Sequence, residues 1–138
     1  MHGAKAFIDT NILVYAFTAD EPVKREKALA FLDERPCVIS TQVLKEFTYV
    51  LLKKSQVKPK AIGKIVHEIS EVATVVNEEA ALILAAVEIY KRYGYVFYDS
   101  LIIATALHNG CTMLASEDMQ EGQIVAGTLE IVNPLSDR

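Results

Sequence analysis

Asp9, Glu46, Asp99 and Asp118 are the residues of this chain whose type and placement could do chemistry. Asp9 interrupts the apolar stretch AFIDTNILVYAF, Ala6 to Phe17, where a carboxylate is costly to desolvate. Either it caps a helix that starts near Asn11, or it belongs to a site that gathers negative charge. The other three allow the same kind of choice. Asp99 can cap the helix it opens, Asp118 can be a turn residue, and Glu46 can be a boundary residue paired with a Lys. Taken together they point to a site. Carboxylates about 4–5 Å apart repel by about 3–4 kcal/mol per pair at an effective dielectric of about 20. Such a cluster persists where some members hold protons or where cations neutralise it. Oxygen ligands without His or Cys suit a hard ion, Mg²⁺ or Mn²⁺, rather than zinc. Carboxylate-held ions completed by substrate phosphate serve metal-assisted phosphodiester hydrolysis.

For the four to meet, the chain must deliver them to one edge of one sheet. Ala4–Ile8 reads as a short buried strand followed by a turn-like Asp-Thr-Asn. Glu21–Glu34 reads as a helix with Asp20 as its cap and Pro22 in its first turn. Cys37–Ser40 is a second strand, and Thr41–Ser55 has helical periodicity, with Val43, Leu44, Phe47, Val50 and Leu51 on one face. Glu46 falls at the border of that face. Pro59–Ser70 is a further helix, Ala73–Val76 a β-branched strand, and Glu78–Tyr93 a long helix stopped by Gly94. Tyr98–Asn109 is apolar on nearly all sides, hence a central helix, and it ends at Gly110, a left-handed cap position. Thr112–Ser116 and Leu129–Val132 complete the strands. Short strands alternating with helices give an α/β class with a mostly parallel sheet, and the strands read as continuous apolar runs, as strands buried on both faces should. Ligands bind such sheets beyond the carboxyl ends of the strands. Asp9 follows the first strand there, and Asp118 lies two residues past Thr112–Ser116.

Composition narrows the class. With 138 residues and 51% hydrophobic content, the expectation is a single domain, residues 1–138, with one well-buried core. No apolar run reaches the roughly 18 residues needed to span a bilayer, and the first residues lack a signal-peptide layout, so the expected location is the cytoplasm, without membrane contact. Cys37 and Cys111 have no metal-type spacing and read as buried thiols. His2, His67 and His108 form no ligand pair, and His108 suits the negative end of a helix. A net charge of −4 does not fit a protein that coats nucleic acid through its overall field. Lys45, Lys53, Lys54, Lys58, Lys60 and Lys64 offer a local basic face instead, or simply a solvated one.

The segments FIDTNILVY, STQVLKEF, YDSLIIATAL and LASEDMQEG resemble, in order and spacing, the PIN domain, and in size the stand-alone VapC-like toxins. That resemblance spans essentially the whole chain. It implies a three-layer α/β/α sandwich around a short-stranded, mostly parallel sheet. It also implies an endoribonuclease dependent on Mg²⁺ or Mn²⁺, the toxin of a type II toxin–antitoxin pair. The family's acidic set falls on Asp9, Glu46, Asp99 and Asp118. Of these, Asp9, Asp99 and Asp118 hold metal, and Glu46 positions or deprotonates the attacking water or helps hold a second ion. Asn11 and Ser116 support the carboxylates, Ser116 standing where many relatives have Thr. Implied too are a tRNA or ribosomal RNA substrate, a small antitoxin partner, a homodimer, and products ending in 5′-phosphate and 3′-hydroxyl. The apolar surfaces near Leu44–Leu52 and Ile62–Ile69 are candidates for antitoxin docking and self-association, with core packing the alternative. A haloacid-dehalogenase phosphatase needs a second Asp where this chain has Asn11. A phospho-receiver domain needs an acidic pair after the first strand. A PIN-like module that binds RNA or protein without cutting is the remaining rival.

Overall fold

The computed structural model describes residues 4–54 and 56–137. In chain order the elements are β1 (Ala6–Ile8), α1 (Thr10–Ala16), α2 (Pro22–Asp33), β2 (Cys37–Ser40), α3 (Thr41–Lys53), α4 (Pro59–Val72), β3 (Thr74–Val76), α5 (Ala80–Tyr93), α6 (Phe97–His108), β4 (Met113–Ala115), β5 (Ile124–Val125) and β6 (Leu129–Val132). One sheet holds all strands in the order β3-β2-β1-β4-β6-β5. Pairing is parallel except between β5 and β6, and Phe7 of β1 sits between Val38 of β2 and Leu114 of β4. Every residue of β1 and β2 is buried, as parallel strands covered on both faces require.

Chain direction explains the layers. From β1 through β2 to β3 the strands advance one way across the sheet, so right-handed crossovers place α1 to α4 on one face. From β3 the chain doubles back past β2 and β1 to β4, so the same handedness places α5 and α6 on the other. The packing agrees: α1 lies on α2 and α3, α3 on α4, and α5 on α6. α6 contacts both β2 and β4, and its Ser100 to Ala106 are buried without a break, so it is the central helix its composition predicts. The reversal of direction falls between β1 and β4, the topological switch point at which open α/β sheets form their crevice.

Several boundaries differ from the sequence reading. The Asp-Thr-Asn triplet is no separate turn, since α1 begins at Thr10 with Asp9 as its N-cap. Asp20 does not cap α2; Glu21 occupies the cap position without a side-chain bond, while Lys54 donates to Asp20 at 2.5 Å. Pro22 at the start of α2 lacks an N–H to satisfy, so a capping acceptor gains less there. α5 starts at Ala80 because Glu78 accepts a hydrogen bond from Thr41 Oγ1 at 3.1 Å and stays outside the helix. Strands β1, β3 and β4 are each shorter than read, and α4 runs to Val72. The expected end of α3 at Ser55, like His2, lies outside the described residues. β5 was not expected; it pairs with β6 through a turn in which Ala126 and Gly127 both have positive φ, 52° and 73°.

The core joins Phe7, Ile8, Ile12, Ile39, Ile103 and Leu114 to Val43, Phe47 and Leu51 of α3 and to Ile62 and Ile69 of α4. Core packing therefore accounts for most of the apolar face of α3 and α4 considered for docking; Tyr49 and Leu52 remain exposed. Cys37 and Cys111 are buried free thiols, and burial pushes both up to about 11. His108 occupies the last turn of α6. Among the described residues no helix is long and apolar enough to cross a membrane.

Candidate active site

Asp9 is fixed by its place between β1 and α1. Its backbone is extended, with φ −73° and ψ 157°, and its N–H donates to Ala115 O of β4 at 2.9 Å. Oδ1 accepts from Thr10 N at 2.8 Å and Oδ2 from Ser116 Oγ at 2.8 Å. Only 8% of the residue is exposed. Capping and site-building thus coincide: one oxygen caps α1, and the other crosses the switch point to β4. Ser116, itself fully buried, receives the amides of Asp118 and Met119 at 3.2 and 3.3 Å. That hydroxyl therefore folds the loop that carries Asp118.

Asn11 and Thr10 place the next two acids. Asn11 Nδ2 donates to Asp118 Oδ2 at 2.9 Å, and Asn11 Oδ1 accepts from Glu117 N at 3.4 Å. Thr10 Oγ1 donates to Glu46 Oε1 at 2.9 Å. Glu46 makes no ion pair among the described residues, so it is not the Lys-paired boundary residue its wheel position allowed. Asp99 lies in the first turn of α6 without capping it, for the cap position is Val96. α6 runs antiparallel to the strands it joins, so its N-terminus and Asp99 reach the same sheet edge as Asp9. A carboxylate there is also favoured by the helix dipole.

Asp9, Glu46, Asp99 and Asp118 all line one cavity of about 900 Å³. Burial raises Asp9 from 3.8 to about 6; the bonds from Ser116 and Thr10 oppose the rise, and the charges of Asp99 and Asp118 add to it. Asp99 is also raised, first by burial and then by Asp118 and Glu46. The acids are thus close enough to feel one another. Among the described residues no three metal-ligating side chains form a ready-made cage. Zinc sites take three or four protein ligands, mostly His and Cys, whereas Mg²⁺ binds through one or two carboxylates, keeps several waters and is completed by phosphate. The oxygen-only donors fit the second case.

A second network was invisible in the sequence. Tyr15 Oη donates to Glu117 Oε1 at 3.0 Å, and Lys24 Nζ donates to Glu117 Oε2 at 2.7 Å. The Lys24 ammonium also lies 4.7 Å from the centre of the Tyr15 ring. Glu117 stands between Ser116 and Asp118, so α1 and α2 hold that loop, through Tyr15, which lines the cavity, and Lys24. Thr10 was likewise missed as the partner of Glu46, although it lies in the triplet that marks the site. Only a fold that brings β1 beside β4 and α1 beside α3 reveals either contact.

Residues 6–121 match the sequence profile of the PIN domain. The chain belongs to the PIN domain family. No curated protein sequence matches it. Its fold is similar to that of a toxin–antitoxin complex from Klebsiella pneumoniae, at 21% identity and a TM-score of 0.74 over 94% of this chain and 97% of that one. It is similar to VapC20 of Mycobacterium tuberculosis, a sarcin–ricin loop cleaving toxin, at 22% identity and a TM-score of 0.65 over 79% and 86%. It is also similar to DNA-bound VapBC from Salmonella typhimurium, at 20% identity and a TM-score of 0.68 over 96% and 99%. The part of this PIN domain that matches the profile runs from β1 to Glu121 and contains all four acids; β5 and β6 lie beyond it.

Proposed function

We propose that this PIN domain is a divalent-metal-dependent endoribonuclease acting in the cytoplasm as the toxin of a type II toxin–antitoxin pair. The observation that carries the reading is Asp9: a buried carboxylate, raised to about 6, lining a cavity together with Glu46, Asp99 and Asp118. A pure binding module has no use for that unfavourable charge. Asp9, Asp99 and Asp118 would hold Mg²⁺ or Mn²⁺, which when bound lowers the pKa of its water and offsets charge on the phosphate. Thr10 occupies one oxygen of Glu46, leaving the other to orient a water and take its proton. Ser116 and Asn11 hold Asp9 and Asp118 in place by hydrogen bonds, as outer partners of metal ligands do. The products are a 5′-phosphate and a 3′-hydroxyl. The solved relatives named for a sarcin–ricin loop cleaving toxin and for a toxin–antitoxin complex support a ribosomal RNA substrate and a small antitoxin partner; the resemblance to VapC-like toxins implies a homodimer and tRNA as the other substrate class.

The test is cleavage of end-labelled RNA by purified protein with Mg²⁺ or Mn²⁺, then with chelator. Asp9→Asn and Asp99→Asn should each abolish cleavage while leaving the protein folded. Undiminished cleavage in chelator or by Asp9→Asn would overturn the reading. Sedimentation of the chain alone, and cleavage with the product of the adjacent reading frame added, test the dimer and the antitoxin.

A further inference from the structure

Six acids and two lysines line the active-site cavity: Asp9, Asp20, Glu21, Glu46, Asp99 and Asp118 against Lys45 and Lys54. Lys54 is occupied by Asp20 at 2.5 Å. The charge of the lining itself therefore does not favour a polyanion, and contacts other than charge must help to hold RNA beside the acids. Two side chains offer such contacts. Tyr49 and Tyr98 line the cavity and are 61% and 57% exposed.

Five of the six tyrosines fall into two groups, and Tyr90, exposed but away from the cavity lining, stands apart from both. The hydroxyls of Tyr15, Tyr93 and Tyr95 bond to Glu117, Ala126 N and Gln123, and these three are part-buried. Among the described residues the hydroxyls of Tyr49, Tyr90 and Tyr98 have no hydrogen-bond partner, and of these three Tyr49 and Tyr98 line the cavity together with Glu46 and Asp99. Tyr98 directly precedes Asp99, with its ring held edge-on against Phe97 at 5.2 Å. Tyr49 lies within one helical turn of Glu46. It also belongs to an exposed stripe of α3: Lys45, Tyr49 and Lys53 are four residues apart, so they share one line, and all three face solvent. The Lys53 ammonium lies 5.2 Å from the centre of the Tyr49 ring. A cation, a ring and a cation in line are what a nucleotide strand meets on proteins that stack its bases and pair its phosphates.

We propose that Tyr49 and Tyr98 are base-stacking residues in the lining of the carboxylate cavity, with Lys45 and Lys53 taking the flanking phosphates. The inference deepens the ribonuclease reading and rests on it. An apolar ring accepts any base face, so the pair fixes position more than sequence, and it selects nucleotides whose bases are free to leave a helix.

The probe is a ten-nucleotide single-stranded RNA, bound in Ca²⁺ by wild type and by Tyr49→Ala, Tyr98→Ala, Tyr49→Phe and Tyr98→Phe, and a counterpart with one abasic position. Each Ala variant should weaken binding by about five- to a hundredfold, each Phe variant should bind as wild type, and the abasic strand should lose most of the difference. In Mg²⁺ the Ala variants should raise KM far more than they lower kcat, with unchanged melting temperature. If wild type cleaves RNA and the Ala variants match it in Kd and KM, stacking is overturned and the nuclease stands. If wild type cleaves nothing but the Ala variants still lose the strand, the nuclease reading falls and stacking stands. Ala variants that keep RNA but lose the antitoxin assign the rings to a protein interface and overturn the proposal.

Discussion

Asp9 allows the cost of a buried charge in the site to be measured without substrate. In the unfolded chain its carboxyl titrates near its ordinary 3.8, and in the folded protein burial moves it to about 6. Below pH 3.8 both states hold the proton, and the protonated carboxyl's contribution to stability is fully present. Between those values the unfolded chain has already released its proton while the folded one retains it. Above about pH 6 the native state carries a buried charge, and the contribution is gone. Stability is therefore lost as pH rises from about 4 to about 7. A tenfold change in proton affinity is worth about 1.4 kcal/mol, so the loss over the whole titration amounts to about 3 kcal/mol. Only 8% of the residue is exposed, so solvent screening removes little of it. Urea unfolding in chelator between pH 4 and pH 8, for wild type and Asp9→Asn, reads it out. Asn at position 9 cannot accept from both Thr10 N and Ser116 Oγ, but that penalty is constant with pH and drops out of the comparison. The stability difference between the two proteins should shift by about 2–2.5 kcal/mol between pH 4 and pH 8, in favour of the variant at high pH. A difference that stays flat with pH would refute the argument that burial and the neighbouring acids oppose the charge on Asp9.

Ser116→Ala should cost about 1–3 kcal/mol by stranding the amides of Asp118 and Met119, and should raise Asp9 further because the Ser116 bond now lowers it; NMR titration of Asp9 and melts of Ser116→Ala against Ser116→Thr check both effects. Phe47→Ala, in a fully buried position, should cost about 3–5 kcal/mol, whereas Leu52→Ala, 55% exposed, should stay within about 0.5 kcal/mol; chemical denaturation separates the core face of α3 from its free one.

What the sequence disclosed depended on how local its cause was. Gly94 and Gly110 mark chain stops because positive φ, 78° and 72°, is a property of single residues. α6 is legible because burial on every side leaves no polar stripe. β5 was hidden because it has two residues and its turn uses Ala126 and Gly127, where the usual signal is Asn-Gly or Asp-Gly. The Tyr93 hydroxyl accepts Ala126 N at 2.9 Å, so tertiary contact holds an alanine at a φ that local chemistry disfavours. Asp20 was misread for the same kind of reason: a Lys 34 positions away takes the carboxylate, and no window along the chain contains both.

The four acids follow the same division. Their positions after strands and at a helix start are local facts, so each was a candidate from sequence. Their convergence is topological. The chain advances from β1 to β3 and then returns past β1 to β4, which opens the crevice at the C-terminal ends of the two strands bearing Asp9 and Asp118. The return also reverses α6, bringing Asp99 to that edge, while β2 leads straight into α3 and brings Glu46. Hydrogen bonds then hold three of the acids in the crevice: Ser116 to Asp9, Asn11 to Asp118 and Thr10 to Glu46. Each is donated by a small residue within three positions of Asp9 or Asp118. The segment Asp9 to Asn11 and the segment Ser116 to Asp118 thus build the site jointly. Moving either strand in register by one residue would carry its acid a residue's length along the sheet and leave the other segment's donors without acceptors.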